Sequence, residues 1–289
     1  MNTHNQPSRR TFVTGALAAC AATSVPTHLY AAAAELDFPL IDLHVHLDNS
    51  SIDQVLPLSI ERNVKFGIVE HAGTRENKYP VVLSNDDQLR ARNKMLDGKG
   101  VYKGIQTEWH DWAKCFSKEA LAELDYILTD TMTFPGKDGS RIKLWENGVT
   151  DRVDISNKDA FMDRYVDWHL KIINEQPIDL LANVSWLPAP LADQYDAFWT
   201  DKRIQMVLDA ALKHRVAIEI SSSFKLPKIK FLKATKEAGL KFTFGSNGRY
   251  PNMGKLDYSI QLAKDLGLKA SDMFTPAPNG QRAAQRRTY

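Results

Sequence analysis

The sequence predicts an α/β fold, a closed barrel of seven parallel strands with helices outside it. From Phe38 onward, short apolar runs alternate with amphipathic stretches, and this alternation repeats seven times without a break in composition. Alternation of this kind implies parallel strands joined by helices. The 289-residue length and the 43% hydrophobic content suit one closed barrel better than two open sheets.

The predicted strands are short apolar runs that end in polar residues. In chain order they cover residues 38–44, 64–69, 100–107, 124–129, 178–182, 216–220 and 240–244. Runs of this length, bounded by turn residues, are typical of strands that are buried on both faces. They leave no obvious linker, so we assign residues 35–268 to one barrel domain.

The predicted helices follow these strands. They cover residues 51–62, 84–96, 117–123, 158–174, 199–214, 227–238 and 254–266. Ser50 or Ser51 is the expected N-cap of the first helix, because a side-chain oxygen there can accept from a free backbone N–H. Residues 131–157 form a long insertion, for which we expect a lid or flap.

The two ends of the chain are predicted to lie outside the barrel. Residues 1–34 resemble a twin-arginine signal peptide, with Arg9 and Arg10 before an alanine-rich stretch. This predicts export by the twin-arginine machinery to the periplasm or beyond. A lipid anchor on Cys20 is the alternative, although the apolar stretch before it is short. Residues 269–289 are rich in Pro, Gln and Arg, which predicts a flexible tail.

The charge balance excludes several kinds of partner. The net charge is +2, and without Arg9 and Arg10 the chain carries 35 basic and 35 acidic residues. A neutral domain does not suggest a nucleic-acid or membrane-surface partner, and no other stretch is long enough to span a bilayer. We therefore expect a small-molecule substrate. Cys115 is alone once Cys20 leaves with the signal, so no internal disulfide is expected.

The candidate site begins at the end of the first strand, where Leu-Ile-Asp-Leu-His-Val-His covers residues 40–46. Residues two apart on a strand point to the same side, so His44 and His46 can reach one ion. Neutral imidazole suits zinc, iron and related metals. The alternative is a purely structural role, in which the two histidines only cap a turn.

Other strands also end in groups that can bind metal or substrate. These strand-end residues are His71, Glu108, Asp130, Asn183, Glu219 and Asn247. In β/α barrels the carboxyl ends of all strands meet at one face, which carries the active site. The sequence therefore predicts one polar site at this face, although single residues of this kind often only cap loops.

Four motifs resemble the PHP (polymerase and histidinol phosphatase) superfamily, and they span roughly Phe38 to Leu266. Asp42-Leu43-His44-Val45-His46 is similar to its first motif, Glu70-His71 and Glu108 fall at the second and third, and Gly245-Ser246-Asn247-Gly248-Arg249 resembles the last. Members are distorted seven-stranded β/α barrels with up to three metal ions. Family ligands are missing here: Asn247 and Arg249 replace Asp and His, and Asn183 and Asp130 stand where histidines are expected.

The resemblance implies a reduced metal site. His44, His46 and Glu108 are its implied ligands, Asp130 is a plausible fourth, and Asn247 could bind weakly through its carbonyl oxygen. We expect one or two divalent ions, of zinc, iron or manganese. His71 could hold a second ion or act as a base. Arg249 could bear positive charge toward an anionic group, or form only a surface salt bridge.

The remaining site predictions concern substrate binding and the reaction. Aromatic residues crowd the same loops, so Trp109 and Trp186, with Asn183 and Glu219, are the predicted substrate-binding residues. The order of the motifs favours an exported metal-dependent hydrolase of PHP type that acts on a phosphoester or another small polar substrate. The missing ligands and the aromatic loops favour a metal-dependent lyase or isomerase that acts on a carbohydrate. A degenerate barrel that only binds a sugar or an acid is the third hypothesis.

Overall fold

The computed structural model describes residues 36–289. The predicted signal segment, with Arg9, Arg10 and Cys20, lies outside the described residues. Among the residues it describes, no helix is both long and apolar enough to cross a membrane.

Ten strands form the sheets of the described residues. In chain order they are β1 (Ile41–Val45), β2 (Lys65–Ala72), β3 (Val82–Leu83), β4 (Tyr102–Thr107), β5 (Tyr126–Thr129), β6 (Thr133–Pro135), β7 (Arg141–Lys143), β8 (Leu180–Leu181), β9 (Ala217–Ser221) and β10 (Phe242–Gly245). Around the barrel the order is β1-β2-β4-β5-β8-β9-β10, every neighbouring pair is parallel, and β1 closes the ring by pairing with β10. The predicted fold class, a closed seven-stranded parallel barrel, is confirmed.

Two pairings lie outside this ring. β3 pairs with the last two residues of β2, beyond the part of β2 that pairs with β1, and β6 and β7 form an antiparallel hairpin inside the insertion at residues 131–157. The predicted flap thus contains regular structure of its own.

Helices connect the strands. Those of the described residues are α1 (Ile52–Arg62), α2 (Asp86–Leu96), α3 (Lys118–Leu121), α4 (Val149–Arg152), α5 (Lys158–Glu175), α6 (Ala189–Ala192), α7 (Tyr195–Phe198), α8 (Asp201–His214), α9 (Ile229–Glu237), α10 (Asp257–Asp265) and α11 (Ala283–Arg286). Ser51 is the N-cap of α1 and forms a capping box with Gln54, so one of the two predicted caps is found.

The half of the barrel interior toward the amino ends of the strands is apolar and filled by side chains. Tyr126 fills it: its ring lies where a side chain at Gly67 or Gly104 would stand, and its hydroxyl donates to the carbonyl oxygen of Leu43 at 2.8 Å. Around it pack Leu43, Val69, Leu128, Leu180, Ala182 and Ala217. Two residues further along their strands, the buried side chains are polar, among them Gln106 and Asp130. The interior therefore changes from apolar to polar toward the carboxyl ends of the strands.

The C-terminal residues, for which the composition predicts flexibility, lie against the amino-terminal end of the barrel. Phe274 donates its backbone N–H to the carbonyl oxygen of Phe242, at the start of β10, at 2.7 Å. Ala283 is buried and donates its N–H to Oδ1 of Asp179, just before β8, at 3.0 Å. In the structure this segment covers the end of the barrel opposite the candidate site.

Candidate metal centre

Two neighbouring strands bring three potential metal ligands together. His46 and Asp48 follow β1 at alternate positions, and His71 lies near the end of β2, which pairs with β1. Each residue offers one donor atom, and the three atoms all lie within 4.8 Å of one another. Two imidazoles and one carboxylate form a ligand set that leaves coordination positions open for water or substrate.

The hydrogen bonding of these residues fits a cation. Both ring nitrogens of His46, both ring nitrogens of His71 and Oδ1 of Asp48 are buried and have no hydrogen-bond partner. Leaving such groups unsatisfied costs about 1–3 kcal/mol each, which an ion on the same atoms would offset. Burial lowers the pKa of His46 well below its usual value and that of His71 to about 3. Both rings are therefore neutral, the form that binds metals.

Neighbouring residues orient two of the three side chains. Nδ1 of His71 lies 3.2 Å from Oε1 of Glu108, at ion-pair distance but without a hydrogen bond, and Oε2 of Glu108 accepts from Oγ1 of Thr133 at 3.0 Å. A carboxylate on one ring nitrogen leaves the other nitrogen directed at the metal. Oδ2 of Asp48 accepts from Nε of Arg249 at 2.8 Å, so Oδ1 stays available. Glu108 thus contacts a candidate ligand, and because its Oε1 has no hydrogen-bond partner, its own predicted role as a metal ligand stays a prediction.

His44, a predicted ligand, has a different environment. Its Nδ1 lies 2.7 Å from Oε2 of Glu219, and its Nε2 lies 2.9 Å from Oε1 of Gln106. Burial alone would lower the pKa of His44, but the charge and the hydrogen bond of Glu219 raise it. Two acceptors on one ring favour the protonated form, which has no lone pair for a metal. In this structure His44 is therefore occupied and not an open ligand.

Glu219, a predicted substrate-binding residue, lies fully buried beneath the site. Gly245 on β10 faces it so closely that a side chain at this position would overlap the Glu219 carboxylate and His44. The absence of a side chain there allows the pair to form. Glu219 therefore holds His44 and does not reach the cavity.

The side-chain oxygens of Asp130 and Asn247, which were predicted to bind metal, accept hydrogen bonds from other residues. Oδ1 of Asp130 accepts from the N–H of Met132 at 3.0 Å, and Oδ2 accepts from Nε2 of Gln106 at 3.2 Å. Burial, and next the charge of Glu108, raise the pKa of Asp130 to about 7. Oδ1 of Asn247 accepts from Nη1 of Arg249 at 3.1 Å. Neither belongs to the three-ligand group around His46.

A cavity of about 250 Å³ opens beside this group. Its lining residues are His71, Tyr79, Gln106, Asp130, Met132, Trp145, Asn183, Phe224, Asn247 and Arg249. The predicted residues His71, Asp130, Asn183, Asn247 and Arg249 are thus brought together. Asn183 and Asn247 stand at φ values of 50° and 47°, in the left-handed region that asparagine tolerates at strand ends.

The predicted aromatic residues lie elsewhere. Trp109 packs on Trp168 with ring centroids 5.2 Å apart and belongs to the hydrophobic core, and Trp186 packs against the same core. Trp145 and Phe224 line the cavity instead, and they are 41% and 38% exposed. For Trp109, packing against Trp168 of α5 explains the difference, since a tryptophan buried there cannot also face the cavity.

Three polar residues of the site, Asp48, Gln106 and Tyr79, were not among the predicted ones. Asp48 continues the alternation of His44 and His46 by one more step, and Gln106 precedes Glu108 by two residues, so both could have been found from strand periodicity. Tyr79 comes from the loop after β2 and stacks on His71 with ring centroids 3.4 Å apart. Nothing in the local sequence marks it.

The hairpin of β6 and β7 is held beside the site by cations. Nζ of Lys143 lies 3.7 Å from the centre of the Tyr79 ring. Arg141 donates to Oδ1 of Asn77 at 2.9 Å and to Oδ2 of Asp111 at 2.7 Å. The hairpin therefore supports Tyr79, which in turn covers His71.

Fold and site together define a seven-stranded β/α barrel with a candidate site for one metal ion. No protein-family model matches the chain, and a search of curated proteins found no significant match. Among solved structures it is similar to citrate synthase SbnG, with 12% identity, 78% of this chain and 95% of that chain covered, and a TM-score of 0.35. An HpcH/HpaI aldolase from Desulfitobacterium hafniense has 11% identity, 76% and 88% coverage and a TM-score of 0.33.

A third similar structure is an HpcH/HpaI aldolase/citrate lyase family protein from Burkholderia cenocepacia, with 13% identity, 76% and 93% coverage and a TM-score of 0.32. TM-scores and sequence identities this low are not evidence about the reaction or the site. None of the three is named as a PHP protein, so the resemblance to that superfamily gains no support from them. The parallel barrel itself rests on the strand pairing described above.

Proposed function

We propose that this protein is a metal-dependent enzyme that holds one divalent ion and acts on a small polar carbonyl compound by lyase or isomerase chemistry. The observation that carries the proposal is the buried group of His46, Asp48 and His71, whose donor atoms lack protein partners beside a polar cavity. A bound ion would polarise a carbonyl or hydroxyl oxygen of the substrate. The metal is zinc, iron or manganese by the chemistry of the ligands.

The same geometry disfavours a phosphoesterase of PHP type. In-line displacement at phosphorus is often helped by two or more ions, which stabilise both the attacking and the leaving oxygen. Here two of the predicted ligands are otherwise engaged, since His44 contacts Glu219 and Gln106, and Asn247 contacts Arg249. The alternative of a lyase or isomerase is therefore preferred over the hydrolase.

A barrel that only binds a sugar or an acid is also disfavoured. A binding protein has no need for several buried donor atoms without partners, because leaving them unsatisfied lowers the stability of the fold. The residues clustered around His46 are instead typical of a catalytic site.

The cavity residues have separable roles in this proposal. Asp130 lines the cavity, and its pKa of about 7 suits a group that takes and returns a proton near neutral pH. Arg249 provides fixed positive charge for an anionic oxygen. Gln106, Asn183 and Asn247 line the wall with amide groups that can bind hydroxyls. This environment fits a polyhydroxylated or carboxylated substrate of small size.

The test is a substrate screen with the full chain loaded with Zn²⁺ or Mn²⁺. Aldoses, ketoses, keto acids and hydroxy acids are assayed for isomerisation or carbon–carbon cleavage, and phosphate monoesters for phosphate release. The proposal predicts turnover in the first set that disappears in Asp130→Asn with the metal content unchanged. Asp193→Asn, an exposed aspartate after α6, is the matched control. Phosphate release that depends on Asp48 would instead support a hydrolase.

A further inference from the structure

A second and larger cavity adjoins the candidate metal centre. It measures about 620 Å³ and lies between the loops that follow β9 and β10. Its lining residues include Ser222, Ser223, Lys225, Arg249, Lys255 and Asp257. Asn247 and Arg249 line both cavities, so the two adjoin at these side chains. Its volume is in the usual range for small-molecule sites.

The larger cavity is basic, although the chain as a whole is not. Three cations, Lys225, Arg249 and Lys255, face it against one carboxylate, Asp257. Lys225 is exposed and has no ion-pair partner among the described residues, and Nζ of Lys255 contacts the neutral Oδ1 of Asn252 at 2.7 Å. Both lysine charges are therefore left without a compensating acid. Ser222 and Ser223 add hydroxyl groups to the same wall.

The loop that carries this cavity is held in place from below. The buried Asp42 of β1 accepts hydrogen bonds from the N–H of Ser246 at 2.9 Å and from the N–H of Gly254 at 2.8 Å. These bonds fix both ends of residues 246–254. The loop is therefore shaped before any ligand binds, which lowers the cost of binding.

We propose that the larger cavity is an anion subsite that holds a phosphate or carboxylate group of the substrate. That the bound group belongs to a substrate rests on the proposed function. The charge of Arg249 is balanced by Asp48, so Lys225 and Lys255 against Asp257 leave a charge of +1 for an anionic oxygen. The substrate class is thus a small carbonyl compound with an anionic group at its far end.

Arg249 connects this subsite to the metal centre. Its Nε contacts Oδ2 of Asp48 at 2.8 Å, while the residue itself lines both cavities. An anionic group held by Lys225 and Lys255 on one side of Arg249 directs the rest of the molecule toward His71 on the other side. The subsite thereby positions the carbonyl end of the substrate.

The experiment measures binding of inorganic phosphate, with succinate as the carboxylate probe, to the full chain by calorimetry. The protein is treated with a chelator first, so that binding to a metal does not contribute. The double variant Lys225→Gln, Lys255→Gln should bind phosphate about tenfold more weakly or worse, because two charge-assisted contacts are lost. Lys233→Gln, an exposed lysine on α9, should match the wild type. A melting curve checks that each variant is folded.

The outcomes separate this inference from the proposed function. Lysine-dependent binding of either probe supports the anion subsite, and the tighter probe gives the group. No binding, or an equal loss in Lys233→Gln, overturns it. Metal stoichiometry is measured on the same samples. If the chain binds no metal but still binds phosphate through the lysines, only the proposed reaction fails; if it binds metal but not phosphate, only the subsite fails.

Discussion

Nε of Arg249 donates a hydrogen bond to Oδ2 of Asp48 at 2.8 Å, so the loop after the last barrel strand holds the carboxylate that follows the first. The side chain of Asp48 is 9% exposed and that of Arg249 is 37% exposed. The ion pair therefore reaches from the cavity surface to the candidate ligand group. This ion pair therefore links the cationic wall of the larger cavity to the candidate metal centre.

Replacing Arg249 should separate substrate binding from metal binding. In Arg249→Gln, Asp48 keeps its charge and loses both a competing cation and an orienting partner, so the two effects oppose each other and the affinity for Zn²⁺ should change little. The value of kcat/KM should fall about 10- to 100-fold, because a charge-assisted contact to the substrate is lost. Metal titration and steady-state kinetics measure the two effects. Arg90→Gln, on α2, is the control, and loss of metal in Arg249→Gln would contradict this account.

Glu108 should act on the metal through His71. In Glu108→Gln the ring of His71 loses the carboxylate that lies 3.2 Å from its Nδ1, so the affinity for Zn²⁺ should fall about 10- to 100-fold. Competition with a chelator of known affinity gives the number. Glu123→Gln changes an exposed glutamate and should have no effect. An unchanged affinity in Glu108→Gln would show that Glu108 does not orient a ligand.

The stability of the protein should depend on pH through Asp179, at the amino-terminal end of the barrel. Burial raises its pKa to about 6, so the protonated side chain favours the folded state. This contribution is complete below the unfolded pKa near 3.8 and is lost as the pH rises through about 6. Two pKa units correspond to about 3 kcal/mol. Asp179→Asn has no such titration.

The stability advantage of the wild type over Asp179→Asn should therefore be larger at pH 4.5 than at pH 8. Denaturant unfolding at both pH values measures the free energy of unfolding of the wild type and of Asp179→Asn. Subtracting one from the other removes the titration of groups that the two proteins share. A gap that is constant with pH, or that widens at high pH, would contradict the assigned environment of Asp179.

The fold was accessible from the sequence because it depends on a repeated local pattern. Strand one was predicted at residues 38–44 and is found at Ile41–Val45, and the helix predicted at 158–174 is found at Lys158–Glu175. The two-residue strand β3 was missed, because the apolar run at residues 81–83 is too short to indicate a strand and β3 exists through its pairing with β2. The contacts of the C-terminal segment with Phe242 and Asp179 are tertiary and have no local signature either.

The site was predicted in location and only partly in its chemistry. Strand periodicity placed His46, His71 and Asn247 at one face of the barrel, and it extends to Asp48. The environment of His44 could not be predicted, because its partners Gln106 and Glu219 lie 62 and 175 residues away along the chain. Two histidines on one strand look equivalent in sequence, while tertiary contacts leave one hydrogen-bonded and the other open.

That difference between His44 and His46 gives the most direct measurement, which is the metal stoichiometry of the purified full chain and its His46→Ala variant by elemental analysis. A melting curve on the same samples checks the fold. The account predicts one divalent ion per wild-type chain and no ion in His46→Ala, which stays folded because the ring of His46 has no hydrogen-bond partner to lose. A wild-type chain without metal, or an unchanged ion content in the His46→Ala, His71→Ala double variant, would contradict the metal centre described here.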